Sequence, residues 1–228
     1  DRIRRDFVAN VSHELRTPLT AIRGYVEALL DAPPGSGDER RFLEIVARHA
    51  WRMERLVNDL LRLARLDAGQ EPLERAPCET SRLVDGVLAE LQPALEAQRQ
   101  TVRIEIAPEA RQVVGDAAKL HDVLRNLVEN ASNYAPEGSA ITVRAAVEPG
   151  WSVLQVLDEG PGIPEADLSR VFERFYRVDK ARSRETGGTG LGLSIVRHLV
   201  DLHGGRVSAA NRPEGGAAFT VRLPVAVP

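Results

Sequence analysis

The 228-residue chain has a single cysteine, Cys78, which excludes an internal disulfide and any cysteine-rich metal site. No apolar run approaches the roughly 20 residues that a membrane-spanning helix needs, and no signal peptide is visible. A basic excess is missing as well: 30 lysines and arginines face 33 aspartates and glutamates, for a net charge of -3. Charge alone holds no polyanion, so no nucleic acid is expected as a partner. Lysine itself is scarce, with Lys119 and Lys180 the only two; nearly all positive charge is arginine, a bias of genome composition. The composition is otherwise that of a globular protein, 43% hydrophobic and 28% charged, which rules out wholesale disorder. The length suits one large domain or two small ones. Because the chain opens on Asp1 rather than Met, it reads as a soluble fragment of a longer protein.

Residues 1–67 carry a seven-residue hydrophobic repeat. Val8, Leu15, Ile22 and Leu29 form one row, Val11, Pro18 and Tyr25 a second, and Leu19 and Val26 widen the stripe. The segment 32–37, rich in proline and glycine, breaks the helix, and Asp38 is placed to cap the next one. The second helix repeats the pattern with Val46, Met53 and Leu60, with Phe42, His49, Leu56 and Leu63, and with Leu43, Ala50, Val57 and Ala64. Two such helices make an antiparallel hairpin whose stripes are wider than one partner can cover. Dimerisation into a four-helix bundle is the simplest way to bury them.

After Asp67 the period changes. Residues 69–80 read as a linker. Helices are expected over 81–98, 116–134 and 191–203, and strands over 102–106, 141–147, 153–157, 206–210 and 217–223. A short helical piece is expected near 167–172 within a glycine-rich stretch, 160–192. Helices mixed with antiparallel hairpins point to an α/β sandwich. The expected domains are therefore 1–68, a linker 69–80, and 81–228.

Of five histidines, His49 lies on the apolar stripe, while His121, His198 and His203 have no partners legible in the sequence. His13 differs. With Val8 at position a, it falls at f, the outermost place on its helix, held rigidly yet exposed. Glu14 follows it, and Pro18 sits inside the helix at a cost of about 3 kcal/mol unless compensated. A neutral imidazole can act as a nucleophile, and an adjacent carboxylate can take or orient its other ring proton.

Three further patterns carry chemistry. Asn126 and Asn130 are four apart on a predicted helix, so two amide oxygens share a face and can ligate or orient hydrated Mg²⁺. Asp158-Glu159-Gly160-Pro161-Gly162 closes a predicted strand, where a carboxylate can accept the amino group of adenine and glycines let backbone approach a base. Gly187-Gly188-Thr189-Gly190-Leu191-Gly192-Leu193 opens a helix whose amides suit phosphates. No lysine followed by serine or threonine completes a Walker motif there, which excludes a P-loop.

Taken together, Ser12-His13-Glu14-Leu15-Arg16-Thr17-Pro18-Leu19 resembles the H-box of sensor histidine kinases, and the later patterns resemble that family's N, G1, F and G2 boxes in family order. The resemblance spans essentially the whole chain. It implies a helical hairpin that dimerises into a four-helix bundle and carries the phosphoaccepting histidine, followed by an ATP-binding α/β sandwich of the Bergerat, or GHKL, type. It implies ATP and Mg²⁺ as cofactors, His13 as the phosphoacceptor, Glu14 as base or orienting group, and Thr17 as the residue that orients water in a regulator-phosphatase motif. It implies Asn130 as metal ligand, Asn126 at the metal and phosphates, Tyr134 against adenine and Asp158 as the adenine-specifying residue. Gly160 and Gly162 belong to the first glycine box. Gly188, Thr189, Gly190, Leu191 and Gly192 belong to the second. In the F-box, residues 172–177, Arg177 is implied to reach the triphosphate, under a lid over 177–186 in which Lys180, Arg182 and Arg184 add charge. The chain departs from the motif at Asn133, which stands where a basic residue is usual. The resemblance also implies transfer of the phosphoryl group to an aspartate of a response-regulator receiver domain, docked between His13 and the loop near Pro33, where Trp51 points outward. It implies attachment to a membrane through upstream segments, with this part on the cytoplasmic side.

Two other functions remain open at this level. An ATP-hydrolysing machine of the same fold would place a glutamate base four residues before the metal asparagine; here that position is Asn126. A non-enzymatic dimeric adaptor would not need every box intact.

Overall fold

The computed structural model describes residues 2–31, 37–179 and 188–225, with side chains from Val8 onward. Two long helices come first, α1 (Arg2–Asp31) and α2 (Glu39–Asp67). Tyr25 meets Phe42 with ring centroids 5.4 Å apart, and further along Glu14 meets Arg52 at 3.2 Å, so the pair runs antiparallel. Helix α1 continues through Pro18, which is buried. Proline has no amide to give to the carbonyl of Glu14; one residue back, the Thr17 hydroxyl donates to the carbonyl of His13 at 3.2 Å. Most of the expected break, 32–36, lies outside the described residues. Asp38 does not cap α2 with its side chain; its carbonyl accepts from the Phe42 amide at 3.0 Å.

The apolar stripe divides between two destinations. Leu56 and Leu63 of α2 are buried, joined by the partly buried Leu15, Leu60 and Leu66. Val8, Leu19, Val26 and Leu30 on α1 and Leu43, Val57 and Leu61 on α2 stay exposed. One chain thus leaves apolar side chains of both helices bare, as the width of the stripe predicts. No helix among the described residues is long and apolar enough to cross a membrane.

The rest is an α/β sandwich. Strand β1 (Ala76–Glu79) pairs antiparallel with β3 (Gln112–Gly115), Cys78 opposite Val113. The end of the stretch read as linker is therefore sheet. Helix α3 (Thr80–Ala97) leads to β2 (Thr101–Ile106), and α4 (Ala117–Tyr134) follows β3. Then come β4 (Ala140–Glu148), β5 (Trp151–Leu157), α5 (Gly192–Leu202), β6 (Arg206–Asn211) and β7 (Ala217–Pro224). The main sheet has the order β2-β4-β5-β7-β6, antiparallel except for β2 beside β4. In place of the helical piece expected at 167–172 there is a 3₁₀ turn, Glu165–Asp167, followed by irregular turns.

Alternation along the strands puts Ile141, Val143, Leu154, Val156, Phe219 and Val221 on one face, against Leu120, Leu124 and Leu127 of α4 and Ile195 and Leu199 of α5. Phe172, from the irregular stretch, meets Phe219 edge to face at 6.2 Å. That contact ties the glycine-rich segment to the core while leaving its backbone free to shape a site.

His203, without a partner legible in the sequence, is fully buried at the end of α5. Its Nε2 accepts from the Asp116 amide at 3.0 Å and its Nδ1 pairs with the Leu199 carbonyl at 2.7 Å. Both contacts suit a neutral ring, and burial pushes its pKa below the usual histidine value. A depressed pKa means the unfolded chain binds the proton first, so this stabilisation is complete above about pH 6.5 and is lost as pH falls below it. Denaturant unfolding should show the parent chain losing stability between about pH 7.5 and 5.5 more steeply than His203→Gln. Equal slopes would remove His203 as the cause.

Candidate functional site

The C-terminal ends of β5 and α4, the irregular stretch and the N-terminus of α5 converge on a cavity of about 200 Å³. Asp158 sits at its floor, only 3% exposed. Its Oδ1 accepts from the Gly160 amide at 2.8 Å and the Ala217 amide at 3.1 Å. Oδ2 takes no hydrogen bond from the described residues and remains available to the cavity that Asp158 lines. Burial raises the pKa of this carboxyl, partly offset by the two amides and by Arg212. The arrangement offers one oriented acceptor in an apolar wall completed by Ile163, Val171 and Phe219.

Two glycines make that geometry possible. Gly216 has φ +89°, and a Cβ there would overlap the Asp158 carbonyl, which also accepts from Arg212 at 2.6 Å. Gly190 has φ +74°, and a Cβ there would come 3.0 Å from Cα of Phe175, whose own φ is +64°. The Phe175 amide donates to the Gly190 carbonyl at 2.8 Å, which locks the F-box stretch to the glycine loop.

Helix α4 presents Asn126, Asn130, Asn133 and Tyr134 to the cavity. The Asn126 amide donates to the Asp122 carbonyl at 2.8 Å, leaving its Oδ1 beside Gly192, where a Cβ would come within 2.8 Å. The Asn130 side chain makes no hydrogen bond to another described residue, though Asn130 lines the cavity. Among the described residues no three histidine, cysteine, aspartate or glutamate side chains gather as a metal site. A cation held here would rest on amide oxygens, water and an anionic ligand, a donor set that suits Mg²⁺.

At the other end of the cavity lie Arg177, Gly188, Thr189, Gly190 and Gly192. The first amides of α5 have no intrahelical partner, which suits an anion. Leu191 and Gly160 do not line the cavity. Leu191 is a core side chain, its amide bonded by the Thr189 hydroxyl at 3.3 Å, and Gly160 acts through Asp158. Lys180, Arg182 and Arg184 lie outside the described residues.

The sequence reading missed what the helical hairpin contributes. Arg55 of α2 makes a two-pronged pair with Glu129 at 2.5 and 2.8 Å, and Arg62 pairs with Asp122. Arg55 and Arg62 are seven apart, as are Asp122 and Glu129, so the two helices run antiparallel in register. Asp59 accepts from the Thr189 hydroxyl at 2.7 Å, and burial raises its pKa against that bond. Asp67 accepts from Arg174 at 2.7 Å, a bond that holds its pKa down, and faces His198 Nε2 at 3.0 Å. Glu14, expected beside His13, instead faces Arg52 at 3.2 Å and Arg177 at 3.0 Å. His13 and Thr17 are exposed on α1, and neither lines the cavity. Trp51 is exposed, as expected, over a second opening between α2 and α3 that is also lined by Leu91 and Leu95.

Residues 3–69 match the His Kinase A (phospho-acceptor) domain, and residues 115–227 match the histidine kinase-, DNA gyrase B- and HSP90-like ATPase domain. The chain is 45% identical over 221 residues to the probable sensor histidine kinase TcrY of Mycobacterium tuberculosis, covering 97% of this chain and 46% of that protein. It is 41% identical to the sensor histidine kinase WalK of Bacillus subtilis, covering 98% of this chain and 37% of that protein. It thus spans about half, or less, of the length of these curated relatives. Among solved structures, the histidine kinase ThkA in complex with the response regulator protein TrrA superposes with a TM-score of 0.78 at 26% identity, covering 96% of this chain and 61% of that one. The Acinetobacter baumannii histidine kinase AdeS, at 24% identity, shares the fold with a TM-score of 0.74, covering 94% and 98%.

The tightness at Gly216 can be measured. Gly215 also has a left-handed φ, +96°, but open space around it. Gly216→Ala should therefore destabilise the chain by about 2 kcal/mol more than Gly215→Ala in denaturant unfolding. Equal losses would mean that φ alone, rather than the approach to Asp158, sets the requirement.

Proposed function

We propose that this chain, which belongs to the sensor histidine kinases as their phospho-acceptor and ATPase core, phosphorylates its own His13 from ATP and passes the phosphoryl group to an aspartate of a response regulator. The observation that carries the reading is Asp158, buried with one carboxylate oxygen fixed by two amides and the other left to the cavity. That is the recognition element an adenine amino group requires. Tyr134 borders the base, and the glycine loop with Arg177 receives the phosphates. Asn130 would hold Mg²⁺, with Asn126 beside it; the ion, when bound, offsets phosphate charge.

His13 Nε2 attacks the γ-phosphorus, the N–P bond forms, and the bond from γ-phosphorus to the bridging oxygen breaks, releasing ADP. Glu14 takes or orients the proton on the other ring nitrogen. His13 lies outside the cavity in the docked arrangement, so phosphorylation of the same chain's His13 requires the ATPase domain to move relative to the helical hairpin. The bare apolar face of α1 and α2 is covered by a second copy, giving a homodimeric four-helix bundle. The missing glutamate at position 126 argues against a hydrolytic machine, since an asparagine cannot take a proton from water. Upstream segments of the whole protein would attach this core to the cytoplasmic side of a membrane.

Three variants test the assignment. His13→Gln should abolish acid-labile labelling from γ-labelled ATP while binding Mg-ATP normally, and Asp158→Asn should lose nucleotide binding with the fold intact. Labelling that survives in His13→Gln would contradict the first role. Thr17→Ala should spare autophosphorylation and slow dephosphorylation of the phosphorylated regulator; an unchanged rate would leave the hydroxyl only its backbone bond to His13.

A further inference from the structure

Arg177 joins the two halves of the chain at the phosphate end of the cavity. Its side chain is only 5% exposed, and one terminal nitrogen donates both to Glu14 at 3.0 Å and to the Gly188 carbonyl at 2.7 Å. Its Nε is the only buried side-chain nitrogen or oxygen among the described residues without a hydrogen-bond partner. The docked arrangement thus satisfies this guanidinium incompletely, and the unmet donor belongs to a residue that lines the cavity. The carboxylate of Glu14 occupies a place on Arg177 that a nucleotide phosphate would also claim. Glu14 has a second cation in Arg52, so it is not stranded when Arg177 leaves. Next to it, Asp59 holds the glycine loop through Thr189, a second carboxylate of the hairpin bound to a phosphate-binding element.

We infer that Glu14 is a built-in competitor for the phosphate end of the nucleotide, so that ATP binding and docking of the ATPase domain on the hairpin oppose one another. The inference rests on the reading that Arg177 faces the phosphates. A phosphate takes Arg177 and also meets its unused Nε. Release of Arg177 removes the ATPase domain's tie to Glu14 of α1, weakens its docking on the hairpin and frees Glu14 to serve His13. The coupling is reciprocal: whatever weakens docking at this point tightens ATP, and ATP weakens docking by the same factor.

Titration calorimetry of Mg-ATP on the full chain tests it, with Glu14→Gln, Glu14→Asp, Arg177→Ala and the double variant Glu14→Gln with Arg177→Ala. Removing or shortening the competitor should tighten ATP by about fivefold, the scale of one partly exposed ion pair. Arg177→Ala should weaken ATP, and in that background Glu14→Gln should have no effect. Amide exchange across residues 52–63 should rise when Mg-ATP is added to the parent chain. If Arg177→Ala weakens ATP but neither Glu14 variant tightens it, or if exchange in α2 does not respond, the competition is refuted while the nucleotide site stands. If Arg177→Ala leaves ATP affinity unchanged, Arg177 does not face the phosphates and both readings fall.

Discussion

The charge register between α2 and α4 is the constraint from which the remaining contacts follow. Arg55 and Arg62 face Glu129 and Asp122 two helical turns apart, and only one antiparallel alignment satisfies both pairs. That alignment sets Asp59 against Thr189, Asp67 against Arg174 and His198, and Glu14 against Arg177. Adhesion has a different source. Partly exposed ion pairs each contribute about 0.2–1 kcal/mol, whereas burying a leucine contributes about 1.5–3 kcal/mol. Apolar burial therefore supplies most of the attraction, and the charges choose where it acts. Such an interface is specific without being permanent.

The site combines a rigid end with a reversible end. At one end, the Asp158 carboxylate is fixed by the Gly160 and Ala217 amides, with Gly216 packed against its carbonyl and Phe219 in the sheet core beneath. At the phosphate end, Arg177 and Thr189 are held by side chains of the helical hairpin. The Asp158 end is preorganised within one domain, and the groups at the Arg177 end depend on where the other domain sits.

Much of this was legible in the sequence because it depends on local pattern. Heptad spacing located both helices and the bare apolar face, alternation located the five strands of the main sheet but not β1 or β3, and the glycine clusters marked the loops around the cavity. Asp38 stands at the N-cap of α2 as its residue type suggests, but its backbone is already helical and its side chain makes no capping bond. The segment 69–80 misled because β1 is short and finds its partner, β3, far along the chain. Leu191 sits within a phosphate-type motif, yet the helix it opens turns its side chain into the core. Gly216 was passed over because its need for close approach arises from Asp158, distant in sequence. The hairpin's share of the site was missed although a signal existed: two arginines seven apart on one helix and two acids seven apart on another. Nothing in a single sequence says that those two helices meet.

The central claim is that His13 receives the γ-phosphoryl group of ATP bound over Asp158. Its most direct test is to incubate the intact chain with Mg-ATP at neutral to alkaline pH and locate the covalent phosphate by tandem mass spectrometry with non-ergodic fragmentation. The account predicts one phosphohistidine, at position 13, accompanied by stoichiometric ADP. Phosphate on another residue, or ADP and free phosphate with an unmodified chain, would contradict it.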